Sequence, residues 1–168
     1  PEDNGTRYIE HIMAEEKEVC KTHTNDSICT HLPIVSINTN GMEIPGNPIY
    51  DEEYNVIDYT LAADGTTTIK ASLDVIDNKQ EYNHLSDNAK SMGEVMIRVR
   101  GHSSRRFEKP NYFIRFVNAD NTNNPQEFLG MDAHHEWALH GPFLDKTLIR
   151  NYMWYSISGE IMEYSPNV

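Results

Sequence analysis

Two stretches of this chain alternate apolar and polar residues one by one, a pattern that suits an extended strand covered on one face. The first is TTIKASLDVI (67–76). The second is EVMIRVR (94–100), with Val95, Ile97 and Val99 on one side and Met96, Arg98 and Arg100 on the other. NYFIRFV (111–117) reads as a further strand, and LPIVSIN (32–38) as a buried, β-branched one. Residues 54–61 suggest a strand with a slip in its alternation, and His135 to Leu139 a short one. Between them, residues 39–53 are punctuated by Gly41, Pro45, Gly46 and Pro48 and are expected to be loop, as are 77–93 and NADNTNNPQ (118–126). Asp64-Gly65 marks a turn. One helix is expected, opening at Asp145 and running through TLIRNYMWYSISGEIM. Leu148, Tyr152, Tyr155, Ile157 and Ile161 supply its apolar surface, with Pro142 before it and Pro166 after it. Strands first and a helix last make the expected class α+β.

Charge narrows the function. A net charge of -12 over 168 residues argues against a nucleic-acid or anionic-membrane surface and suits cations, or nucleotides carried with Mg²⁺. No run approaches the roughly 18 apolar residues of a membrane span. Residues 1–31 read as a charged leader in which EHIMAEEKEV can form a short amphipathic helix. Cys20 and Cys29 enclose a short polar loop; they form either a disulfide, which would place the protein in an oxidising compartment, or two free thiols. Zinc would need His23 and His31 as well, at a spacing irregular for a structural site.

The basic connection between the strands at 94–100 and 111–117 is the first chemical candidate. Gly101 permits an unusual backbone angle. Ser103 and Ser104 offer hydroxyl donors, and Arg105 and Arg106 add charge for phosphate oxygens. Without further information the same residues make a solvated hairpin whose arginines offset an acidic surface. His135 and His140 imitate a metalloprotease pair, but five residues apart on a helix they point roughly 140° away from each other. No metal site is expected there.

A longer pattern ties these pieces together. VMIRVRGHSSRRFEKPNYFIRF, then LGM, then EWALHGPFLDKTLIRN resembles the CotH family of atypical, kinase-like proteins. The matching residues are Arg100, Gly101, Ser103, Ser104, Phe107, Lys109, Leu129, Gly130, Met131, Trp137, Leu139, Asp145, Lys146, Thr147, Leu148, Arg150 and Asn151, and LPIVSINTNGMEIP resembles the family's opening strand. The resemblance implies that residues 32–168 are the amino-terminal part of a kinase-like domain. The full-length parent would phosphorylate serines of spore-coat or cell-surface proteins with ATP and Mg²⁺ or Mn²⁺. In a kinase-like layout the strand after the phosphate-covering turn carries a cation for the nucleotide phosphates. Arg115 takes that place, where the family usually has lysine, with Lys109 as the nearby alternative; Arg115 as a surface arginine is the competing reading. Lys146 and Arg150 would project from one helical face toward phosphate, or else Asp145 and Asn151 simply fix the helix as buried polar residues.

The metal-holding carboxylates of such a fold come from its larger lobe, so no catalytic residue is assigned and the chain by itself is expected to be inactive. Its helix face, with Tyr152, Trp154 and Tyr155, would be left uncovered or would self-associate. The expected setting is a spore coat, a cell surface or the exterior. The competing functions are a non-catalytic surface module for protein contacts and, because of Arg115, a pseudokinase.

Overall fold

The computed structural model describes residues 28–79 and 82–164. The leader helix expected over residues 10–19 lies outside them, as do Cys20 and His23, so the disulfide and zinc alternatives fall there too. In chain order the strands are β1 (Cys29–Thr30), β2 (Ile34–Asn38), β3 (Pro48–Tyr50), β4 (Val56–Tyr59), β5 (Ile69–Ile76) and β6 (Asn83–His84). There follow β7 (Lys90–Arg100), β8 (Asn111–Val117), β9 (Gln126–Phe128), β10 (Met131–His134) and β11 (Glu136–Leu139), then the helix α1 (Arg150–Ile161). Antiparallel sheets followed by one helix are the α+β arrangement expected from the alternation.

The chain divides into two units, Pro1–Ile34 with Ile76–Ala89, and Val35–Val75 with Lys90–Val168. In the first, β1 pairs antiparallel with β6, Cys29 opposite His84 and Thr30 opposite Asn83. The buried amide of Asn83 stitches this unit together. Its Nδ2 donates to Leu32 O at 3.0 Å and its Oδ1 accepts from Asn78 N at 2.7 Å.

The second unit is built on a five-stranded sheet in the order β11-β8-β7-β5-β2. Its register explains why the alternation matters. Ile69, Ile97, Ile114 and Trp137 stand side by side across four strands, and Ala71, Val95 and Phe116 form the neighbouring row. Directly opposed residues share a face, so every one of these side chains meets the same core. Val95, Ile97, Ile114 and Phe116 are wholly buried. The other face carries the row Lys70, Met96, Arg115, Glu136 and the row Arg98, Phe113, Ala138. The core face is capped by the hairpin β9–β10. Its two-residue turn, Leu129 and Gly130, holds both residues at positive φ, as a tight hairpin requires, and leaves Phe128 opposite Met131. Phe128 lies edge-on to Phe116 with 5.6 Å between ring centroids, and 5.5 Å from the Trp137 ring.

Four expectations need correction. Residues 39–53 are not all loop, because Pro48–Tyr50 is a strand paired with β4. Asp51 makes that hairpin possible: Oδ1 accepts from Glu53 N and Asn55 N, and Oδ2 from Asn55 Nδ2, so the turn is closed by a side chain. Tyr54, expected in a strand, sits in that turn at φ 63. The loop expected over 77–93 contains β6, and its last residues already belong to β7, which a register shift at Leu73/Asp74 disguises. Finally, the helix begins at Arg150, five residues after Asp145. Leu148 has φ 62, a left-handed conformation that a right-handed helix cannot include. Along α1, Tyr152, Trp154 and Tyr155 are all exposed. Among the described residues no helix is long and apolar enough to cross a membrane.

Phe116 sits where the sheet meets the capping hairpin. Phe116→Ala is therefore expected to cost about 3–5 kcal/mol of stability in urea unfolding. A loss below about 1 kcal/mol would mean that the sheet and hairpin do not share this core.

Candidate functional site

β7 ends with Arg100 opposite Asn111, the first residue of β8, and residues 101–110 connect them. Gly101 takes φ 107, and a Cβ there would run into Ser104 Oγ, so the bend requires glycine. A single 3-10 turn, Ser103–Arg106, follows. Arg105 folds back over it: Nε donates to Gly101 O at 2.6 Å, Nη1 donates to Gly46 O at 3.0 Å, and the guanidinium lies 4.3 Å from the centre of the Tyr59 ring. Asn111 braces the far side. Its Nδ2 donates to Ser104 Oγ at 3.0 Å while its Oδ1 accepts from Gly141 N at 2.7 Å. Gly141 passes so close that a Cβ would come within 2.7 Å of Lys109 O.

The expected clamp therefore splits by role. Gly101, Ser104 and Arg105 hold the connection in shape, whereas Ser103 and Arg106, joined by His102, face a cleft of about 570 Å³. Residues 55–59, including β4, form the cleft's other wall. Lys109 is exposed and lies outside that lining. Arg100 is exposed at the end of β7, on the face that also carries Arg98.

Arg115 is elsewhere. It lies four residues along β8 from Asn111, about 13 Å at the rise of an extended chain, on the face turned away from the core. Its Nε is shut off from solvent and, among the described residues, has no hydrogen-bond partner. Arg98, diagonal to it across β7, lies 4.9 Å over the Phe113 ring. Glu136 stands opposite Arg115 in register, but among the described residues no ion pair joins them. A second acid on the same face, Glu94, is taken by Lys70 at 3.1 Å.

The DKT segment follows Phe143, which packs against the connection through Phe107. Lys146 precedes α1, so it does not share a helical face with Arg150. Its Nζ donates to Phe143 O at 2.9 Å and sits 4.4 Å over the Phe143 ring, which stacks on Phe107. Asp145 carries out the expected capping from a distance. Its Oδ1 accepts from Thr147 Oγ1 at 2.6 Å and from Thr147 N at 3.1 Å, and its Oδ2 accepts from Arg150 N at 2.9 Å. Arg150 Nε lies 3.4 Å from the same carboxylate. Asn151 Nδ2 meets His140 Nε2 at 2.9 Å, and Trp137 Nε1 donates to His134 O. Asp145 thus fixes the start of the helix and Asn151 ties it to His140, but neither is buried as expected: Asp145 is half-buried and Asn151 exposed. Among the described residues no group of three or more His, Cys, Asp or Glu could hold a metal ion, so no step is assigned to a resident metal.

The Thr147 hydroxyl, foremost, and the Arg150 and Thr147 amides hold the Asp145 carboxyl below its ordinary range, against the opposing effect of its own covering. A depressed folded-state pKa stabilises the fold above the unfolded value of about 3.9, and that contribution is lost as pH falls through the folded value. Carbon-detected NMR titration should place the Asp145 midpoint below that of a free aspartate, and Asp145→Asn should flatten this acid-side loss of stability. A midpoint at or above the free value would show that the cap does not form.

Neither a curated protein nor a solved structure matches this chain. A family model does, over the stretch that holds the 101–110 connection, Arg115 and α1: residues 97–168 match the model described as CotH kinase protein, as part of that family's domain.

Proposed function

We propose that this chain supplies the phosphate-contacting face of an ATP-dependent protein kinase of the CotH type, acting on serines of spore-coat or cell-surface proteins. The observation that carries the proposal is Arg115. Arg115 is half-buried, and its covered Nε lacks a partner among the described residues, a cost on the order of 1–3 kcal/mol; a shift of the side chain that lets its planar fork meet a phosphate oxygen would relieve that cost. Arg98 adds a second positive charge diagonal to it; Glu94 on the same face is paired with Lys70, and Glu136, directly opposite, makes no ion pair with Arg115 among the described residues. The family match over residues 97–168 supports ATP as the source of that phosphate. The divalent metal enters with the nucleotide; no described residue is assigned to hold it. A second reading, a non-catalytic surface module, is favoured by the exposed aromatic residues of α1.

Calorimetric titration of ATP with Mn²⁺ separates the two. Arg115→Ala should weaken binding by about 10-fold or more, the scale of one lost charge-assisted hydrogen bond. Arg115→Lys should keep much of it, because the charge stays while the planar fork is lost. Unchanged affinity in the alanine variant would remove Arg115 from any nucleotide site and favour the module.

A further inference from the structure

Arg115 is not among the residues that line the cleft between residues 55–59 and 102–106. We infer that this cleft binds a phosphoserine side chain of a protein substrate, at a place distinct from the nucleotide. The inference rests on the serine-kinase reading for the source of the phosphoserine, and on the cleft itself for the binding.

One wall is a set of donors. Arg106 is exposed and, among the described residues, makes no ion pair or hydrogen bond, and the Ser103 hydroxyl and His102 ring beside it are equally uncommitted. Arg105 is not available to a ligand, since two backbone carbonyls and the Tyr59 ring occupy its guanidinium. That fixation has a consequence: it holds the wall in one shape, so the neighbouring Arg106 and Ser103 start from a preorganised backbone rather than a mobile loop. The opposite wall is different in kind. Val56 and Ile57 give it an apolar edge, and Ile57 is exposed. Asp58 is the one acid there, and its Oδ1 accepts from the Tyr59 amide at 2.8 Å.

Size and charge then select the ligand class. A space of about 570 Å³ is far larger than one phosphate and lies within the range of roughly 300–1,000 Å³ typical of ligand sites. It suits a short peptide with its phosphate on the Arg106 wall and its backbone along Val56 and Ile57. An unmodified serine would leave Arg106 and His102 without an acceptor of matching charge. A kinase with such a site would be drawn to chains it had already modified, so that one phosphorylation assists the next.

The test is fluorescence anisotropy with a labelled peptide containing one phosphoserine, and with its unphosphorylated twin. The phosphopeptide should bind about 10-fold or more tighter than the twin, the scale of a charge-assisted contact. Arg106→Ala should reduce the phosphopeptide to the twin's affinity, Arg106→Lys should restore most of the difference, and Arg115→Ala should leave it unchanged. Equal binding of the two peptides, or an Arg106→Ala variant that still prefers the phosphopeptide, overturns the inference. So does displacement of the phosphopeptide by ATP together with its loss in Arg115→Ala, since the cleft would then belong to the nucleotide site. The kinase reading fails separately: no ATP binding with phosphopeptide binding intact would remove that reading and leave the cleft's ligand standing.

Discussion

The pairing of β7 with β8 is the constraint from which the rest of the second unit follows. Ile97 faces Ile114, and that single register sends Val95, Ile97, Ile114 and Phe116 into the core while it turns Arg98, Phe113 and Arg115 the other way. A slip of β7 by one residue would turn Val95, Ile97 and Val99 away from the core and send Arg98 and Arg100 toward it. The core row is extended by Ile69 and Trp137 on the flanking strands, and the β9–β10 hairpin closes over it through Phe128. Register therefore does more than stabilise the sheet. It decides that positive charge accumulates on one face of a chain whose net charge is strongly negative.

The end of the same strand pair forms the second chemical feature. Because β7 stops at Arg100 and β8 starts at Asn111, the intervening residues must reverse direction beyond the sheet. Arg105 and Asn111 decide how they do so, one through Gly101 O and Gly46 O, the other through Ser104 and Gly141. Gly101, Ser104 and Arg105 are thereby spent on shaping the connection, and of its residues only Arg106, Ser103 and His102 line the cleft. The chain thus presents donors at two places: Arg115 on the sheet face, and Arg106, Ser103 and His102 along the cleft at the strand ends.

Much of this was legible in the residue order. The alternation of residues 67–76, 94–100 and their neighbours identifies β5, β7 and β8, and Gly101 marks the bend between the last two. Arg115 stood out through the family pattern, though nothing local announced that its Nε would be buried without a partner. What escaped was made by side chains reaching across sequence. Asp51 builds the β3–β4 hairpin in a stretch that proline and glycine disguise as loop. Asn111 braces partners 7 and 30 residues away, and the stacking of Arg105 on Tyr59 joins segments that no periodicity connects. The start of α1 was misplaced because Asp145 caps from five residues upstream, and Leu148 adopts a conformation that apolar spacing does not reveal.

The proposed kinase function stands or falls on phosphate contact at Arg115. The most direct measurement is the Nε–Hε resonance of Arg115, followed by NMR while ATP or adenosine is added to the same sample. ATP is expected to move that resonance and slow its exchange with water, as the buried donor gains an acceptor, and adenosine is expected to leave it in place. A resonance that stays fixed through an ATP titration, or that moves equally with adenosine, would contradict the assignment of Arg115 to phosphate.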